Sequence, residues 1–193
     1  MTASVRYNTV AMLLHWLIAA LILTNISVAW YFDELKGLAK IPPLQLHKSI
    51  GITVLILSVL RLAWRLINPP PKMPDTVKGW ERFLAVAVHV LFYVVMIGLP
   101  LSGWFMVSAS RLIHTYPITL FGLFEWPAIG PLTTLPPAQM RETRETLEEI
   151  HELLGKLAYA LIVLHVGAAL THQFIRRDAI NARMIPFLKA PAS

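Results

Sequence analysis

Histidine is the residue type on which any metal or redox chemistry of this chain must depend. The 193 residues include seven histidines and no cysteine, which excludes disulfides and iron–sulfur clusters. Polar side chains in hydrocarbon cost several kcal/mol unless they are paired. We therefore expect functional roles for the six histidines within or at the mouth of long apolar segments, which are His15, His47, His89, His151, His165 and His172.

The spacing of these histidines predicts two layers. His151 and His165 are 14 residues apart, which is about 21 Å and close to four turns of a helix, so they share one face at two depths. His47 begins its apolar segment at a depth similar to that of His151, whereas His15 lies near the depth of His165. His89 is a second candidate partner for His165, and depth alone does not choose between it and His15.

Two imidazoles from facing helices suit the two axial positions of a haem iron. Zinc would require three or four ligands converging on one point, and each layer offers too few. The absence of cysteine also excludes covalent c-type attachment, so the prediction is two b-type haems. A histidine proton relay without haem is the alternative, although transporters usually contain more spans and repeated topology.

The elements that must position the histidines are membrane spans. The chain is 56% hydrophobic and only 15% charged, and a spanning helix needs roughly 20 apolar residues. Four such segments run approximately over 7–31, 44–67, 80–107 and 149–175. We predict one domain over 1–193, an all-α integral membrane protein built as a four-helix transmembrane bundle. The basic residues flank the spans, which argues against nucleic-acid binding.

Charge placement predicts the orientation of the bundle. The chain start, the connection between spans two and three and the C-terminal segment carry ten basic and three acidic residues, against seven and eight on the other side. Positive-inside bias therefore puts both termini in the cytoplasm. The connection over approximately 108–137 is too broken by proline to span, and we expect an outer cap. Pro136 and Pro137 predict a helix start, so span four should protrude outward.

Three basic side chains are candidate partners for haem propionates. Arg61 is 14 residues beyond His47 and should lie on the same face at the cytoplasmic layer. Lys48 and Lys156 flank the outer layer. For the two lysines, ordinary snorkelling to the interface is an equal alternative.

Short motifs across nearly the whole chain resemble the bacterial cytochrome b561 family, which is similar to the cytochrome b subunits of hydrogenases and formate dehydrogenases. They are HWLIA from His15, LHKSIG around His47, RLAWR from Arg61, HVLFY from His89 followed by LPLSGW, and HELLG from His151 through LHVGAALTHQF. The resemblance implies that His15 and His165 ligate a cytoplasmic-side haem. It likewise implies that His47 and His151 ligate an outer haem.

With both axial positions filled, such haems carry electrons and do not activate oxygen. The resemblance to standalone superoxide oxidase-like members implies an oxidoreductase of the bacterial inner membrane that passes electrons from an outer donor to ubiquinone or menaquinone. Superoxide and an outer redox protein are the two alternatives for that donor. His89 and His172 are candidates for the quinone and proton site, with a structural role as the alternative for His89. The alternative function is an electron-relay subunit whose outer surface docks a partner redox enzyme, such as a hydrogenase or dehydrogenase.

Overall fold

Four long helices dominate the computed structural model, which describes residues 6–73, 78–178, 180–185 and 187–188. Asp75 and Lys189, two of the charged residues counted above, lie outside these ranges. The long helices are α1 (Thr9–Asp33), α2 (Ile41–Ile67), α3 (Gly79–Ser108) and α5 (Pro137–Leu170), and each is long and apolar enough to cross a membrane. The predicted four-helix membrane fold is confirmed.

Helix α5 is longer than its membrane span. A π-helical turn, Thr171–Arg176, continues it to 40 residues, which is roughly 60 Å of helix against about 30 Å of bilayer hydrocarbon. Pro137 occupies the first helical position, as the sequence predicts, because proline lacks the N–H that a first turn leaves unpaired. The whole helix is therefore too long to lie within the hydrocarbon of one bilayer.

The packing divides the bundle into two cores. Ile18, Ile50, Val54 and Met96 join α1, α2 and α3, while a second cluster around Val95 and Leu161 joins α3 to α5. Helices α1 and α2 approach α5 through pairs of rings, which the next subsection describes. Large apolar side chains of the long helices face outward, as suits contact with lipid. In the most apolar 18 residues of α1, only 6% are buried.

The connection between α3 and α5 is a folded cap. It contains an antiparallel hairpin, β1 (Ile118–Leu120) with β2 (Phe124–Trp126), and the one-turn helix α4 (Gly130–Thr133). The sequence predicted no span here, and the described residues contain none. The hairpin was not anticipated. Its turn uses left-handed backbone at Phe121 (φ 49°) and Gly122 (φ 73°). We call the end of the bundle that carries this hairpin the hairpin side.

Side chains of α2 hold the hairpin in place. The Gln45 amide donates to the carbonyl of Pro117 at 2.8 Å. The Ser49 hydroxyl donates to the carbonyl of Thr119 at 2.9 Å and accepts the N–H of Phe121 at 3.0 Å. The cap is thus attached immediately on either side of His47.

The opposite end, which we call the terminal side, contains the first described residues, residues 68–73 after α2, and the described residues after α5. Arg183 donates to the carbonyls of Pro71 and Lys72 at 2.8 and 2.7 Å. The indole of Trp16 donates to the carbonyl of Met184 at 3.0 Å. Both described chain ends therefore lie on the same side as residues 68–73, which the predicted topology requires.

Candidate functional site

Two histidines meet near the hairpin side of the bundle. His47 comes from the second turn of α2 and His151 from the middle of α5, and their ring centres are 6.4 Å apart with an interplanar angle of 72°. These are the two residues that the sequence predicts for the outer layer. The fold brings them together although 103 residues separate them in the chain.

Each ring of this pair has one nitrogen bound to backbone. Nδ1 of His47 lies 3.4 Å from the carbonyl oxygen of Asn25, and Nδ1 of His151 lies 3.0 Å from that of Leu99. A carbonyl can only accept, so the proton belongs on Nδ1 and Nε2 keeps its lone pair. That is the tautomer in which Nε2 can bind a metal.

The histidines nearer the terminal side form a group of three. His165 on α5 lies 6.1 Å from the ring of His15 on α1 and also 6.1 Å from that of His89 on α3. Phe92 packs against His165 at 5.3 Å. The predicted layer is present, but ring distance favours neither His15 nor His89 as the partner of His165.

Arg61 reaches the terminal-side layer, as its spacing from His47 predicts. Its guanidinium lies 3.2 Å from Nδ1 of His15 and 6.0 Å from the ring centre of Tyr93. Arg65, one turn further along α2, lies 5.8 Å from the same tyrosine ring. Since arginine can only donate, the contact requires an unprotonated Nδ1 on His15.

The two candidate lysines differ in their surroundings. Lys48 is half-buried beside His47 on α2. Lys156 is 74% exposed and lies 3.6 Å from the carboxylate of Glu152. The structure therefore gives Lys156 a carboxylate partner on its own helix.

His172 lies apart, in the π-helical turn that follows α5. Its Nδ1 is 2.6 Å from a carboxylate oxygen of Asp178, and the other oxygen accepts the N–H of Ile180 at 3.1 Å. The carboxylate thus orients the ring. Asp178 is a contact that the sequence did not indicate, because the chain must turn back through the left-handed backbone of Arg177 to form it.

Three residues of α3 that the sequence assigned no role also touch the site. Leu99, Ser102 and Gly103 contact the ring of His151. All three belong to the LPLSGW segment, which contains Pro100 and lies in the second half of α3. Only the packing of α3 against α5 reveals this contact.

The ring separations can be compared with those that a bound iron requires. With metal–nitrogen bonds of about 2 Å and ring nitrogens about 1.1 Å from the ring centre, two imidazoles on opposite sides of one iron have centres about 6.3 Å apart. The observed separations of 6.1 and 6.4 Å match this distance. The distance between the ring centres is therefore compatible with one iron between the two imidazoles of each pair.

The chain is similar to known proteins over nearly its whole length. Residues 6–187 match the family described as prokaryotic cytochrome b561. Cytochrome b561 homolog 2 of Escherichia coli (strain K12) is 30% identical over 183 residues, which cover 93% of this chain and 91% of that protein. The protein named probable superoxide oxidase CybB of Yersinia pestis is 28% identical, with 94% and 96% covered. Cytochrome b561 homolog 1 of E. coli is 25% identical, with 94% and 97% covered.

The family match covers nearly the whole chain. The structure has four candidate membrane spans, and histidines from different helices lie next to each other. The chain belongs to the prokaryotic cytochrome b561 family, as a multi-pass membrane b-type cytochrome that works in electron transfer.

Proposed function

We propose that this chain carries two bis-histidine b-type haems and passes electrons from a donor on the hairpin side to a membrane quinone. His47 and His151 would ligate the hairpin-side haem, and His15 and His165 the terminal-side haem. The single observation that carries the proposal is the meeting of two imidazole pairs at 6.4 and 6.1 Å, from helices that cross the membrane. Bound haem supplies reversible one-electron transfer.

The surrounding residues would hold the groups and exclude water. The carbonyls of Asn25 and Leu99 keep Nε2 of the hairpin-side histidines available. Arg61, Lys48 and Lys156 are the proposed partners of the propionates. Arg61 would have to exchange its contact with His15 Nδ1 for a carboxylate, which is the stronger acceptor for a guanidinium. The cap attached at Ser49 would close the hairpin-side layer against solvent.

His172 and His89 are the proposed quinone and proton site. Reduction of a quinone to a quinol needs two electrons and two protons, so a proton donor must lie near the electron exit. The Asp178 carboxylate at 2.6 Å orients the His172 ring, through which a proton would be passed to the quinone. His89 lies next to His165 and so beside the proposed terminal-side haem. Ubiquinone and menaquinone both satisfy this chemistry.

Superoxide is the donor that we propose, because one relative bears the name probable superoxide oxidase. Each superoxide would lose one electron and leave as O₂. Two superoxide anions and two protons would convert one quinone to one quinol. The protein would then be an oxidoreductase of the bacterial inner membrane, with both termini in the cytoplasm and the cap outside.

An electron-relay subunit is the second candidate, because the cap exposes apolar side chains that could dock a partner enzyme such as a hydrogenase or dehydrogenase. Leu123 is 81% exposed and Phe124 54% exposed. To separate the two candidates, the purified chain would be mixed with superoxide and a soluble quinone. Prompt haem reduction and quinol formation support the self-contained enzyme, whereas inertness until a partner co-purifies supports the relay.

The ligand assignment is tested by His151→Ala. We expect the purified variant to contain one low-spin b haem in place of two, with the terminal-side haem retained. Retention of both haems would refute the assignment. A colourless wild-type preparation from haem-replete cells, with no porphyrin on extraction, would favour the histidine proton relay without haem.

A further inference from the structure

The ring of His151 rests against the backbone of a helix that provides no proposed ligand of the hairpin-side haem. Its Nδ1 lies 3.0 Å from the Leu99 carbonyl and 3.1 Å from the Ser102 hydroxyl. That hydroxyl also donates to the Leu99 carbonyl at 2.8 Å. Three polar atoms thus form a closed group, in which Ser102 is only 7% exposed.

Gly103 provides the space for the ring. A Cβ built on this residue would lie 3.0 Å from Cε1 and 3.3 Å from Nδ1 of His151, which is tighter than ordinary van der Waals contact. The ring could move away only by stretching its hydrogen bond to Leu99 and shifting Nε2. Any side chain at position 103 therefore conflicts with the observed orientation of His151.

A second glycine of the same helix behaves differently. A Cβ on Gly98 would meet Cδ1 of Leu154 at 3.5 Å, an ordinary contact. Alanine at Gly98 or Gly103 changes helix propensity in the same direction, by up to about 1 kcal/mol. The two positions differ in what the added methyl group touches, so Gly98 is a matched control.

We infer that Ser102 and Gly103 are positioning residues that set the orientation and tautomer of the His151 ring for the hairpin-side haem. The inference rests on the proposed ligation of that haem by His151. Outer hydrogen-bond partners of metal-bound histidine fix its tautomer and raise its basicity, and their loss typically costs about 10–100-fold in metal affinity. Gly103 adds a steric condition, because a Cβ at this position would push the His151 ring away by a few tenths of an ångström.

The experiment compares Gly103→Ala, Gly98→Ala and the wild type as purified full-length cytochromes. The measurements are haem per chain after extraction, electron paramagnetic resonance of the two low-spin ferric haems, and their midpoint potentials. We expect Gly103→Ala to lose the hairpin-side haem or to shift its resonance and potential, with the terminal-side haem unchanged. Gly98→Ala should match the wild type. Wild-type values for Gly103→Ala in all three measurements would overturn the role of Gly103.

Ser102→Ala adds no bulk and should fold where Gly103→Ala does not. We expect it to keep both haems but to shift the resonance and potential of the hairpin-side haem alone. If Gly103→Ala does not accumulate, this variant decides the inference, and unchanged spectra overturn it. His151→Ala distinguishes a failure of the positioning role from a failure of the proposed haem ligation. Loss of one haem there, with unaltered Ser102 and Gly103 variants, defeats the positioning role alone, whereas retention of both haems defeats the proposed ligation.

Discussion

His165 has two imidazole neighbours at the same ring separation of 6.1 Å, and an iron between two axial ligands can use only one of them. His15 accepts from Arg61, whereas Nδ1 of His89 lies 2.5 Å from the carbonyl of Ala85 on its own helix. The resemblance assigns the ligand role to His15. At the scale of single residues, this choice is the sharpest question that the site presents.

Replacing His15 or His89 by alanine tests which of them is the second ligand beside His165. We expect His15→Ala to lose the terminal-side haem, because the iron loses an axial ligand, and His89→Ala to keep both haems. Haem per chain and the low-spin absorption bands of the purified variants provide the measurement. The variants control for each other, because each removes one imidazole at 6.1 Å from His165. The reverse pattern would transfer the ligand role to His89.

The contact between His172 and Asp178 leads to a kinetic prediction. His172→Asn and Asp178→Asn should leave haem content and haem reduction by the donor unchanged, because neither residue is a proposed ligand. Quinone-dependent reoxidation of the haems should slow by roughly 10²-fold, since general acid catalysis contributes at least that much. Stopped-flow absorbance records both phases. Thr171→Ala is the matched control, because Thr171 lies in the same π-helical turn and its hydroxyl donates to the carbonyl of Gly167, away from Asp178.

At the scale of elements, the cap and α2 behave as one unit. Ser49 is 1% exposed, and its hydroxyl serves Gln45 and Thr119 as donor and Phe121 as acceptor. The left-handed backbone at Phe121 is unusual for a residue with Cβ, and the hydrogen bond from its N–H helps to hold that conformation. The attachment lies two residues from His47, so the order of the cap and the position of this proposed ligand are linked.

Ser49→Ala should weaken this attachment. The substitution leaves the N–H of Phe121 and the carbonyl of Thr119 without this partner, at a cost of about 1–3 kcal/mol in the free energy of unfolding. Equilibrium unfolding in mixed micelles and the rate of proteolysis within the cap measure the effect. Ser27→Ala is the control, because the exposed hydroxyl of Ser27 donates to the carbonyl of Leu23 on its own helix. Its effect on the free energy of unfolding should stay within about 0.5 kcal/mol. Equal stability of the two variants would contradict the proposed attachment.

At the scale of the whole molecule, the question is which end faces the cytoplasm. The chain contains no cysteine, so single cysteines can report each side without background. Leu123 in the cap is 81% exposed and Phe187 in the C-terminal segment is 93% exposed. Both are uncharged, so their exchange leaves the charge balance that predicts the orientation unaltered.

We expect a membrane-impermeant maleimide to label Leu123→Cys in intact cells and to label Phe187→Cys only after the membrane is opened. The positive charges of the terminal side should keep that end in the cytoplasm. The unaltered chain, which has no thiol, is the labelling control. Labelling of Phe187→Cys in intact cells would reverse the orientation and place the proposed superoxide donor on the wrong side.

The sequence by itself determined the four apolar helices, the start of α5 at Pro137 and the two histidine layers. These follow from local composition and from the fixed rise of a helix, which converts 14 residues into a known distance. Only the tertiary structure decided what depends on contacts between distant segments. It supplied the hairpin attached at Ser49, Asp178 beside His172, and the contact of Gly103 with His151. No periodicity records such contacts, because they arise when separate helices pack and the chain turns back on itself.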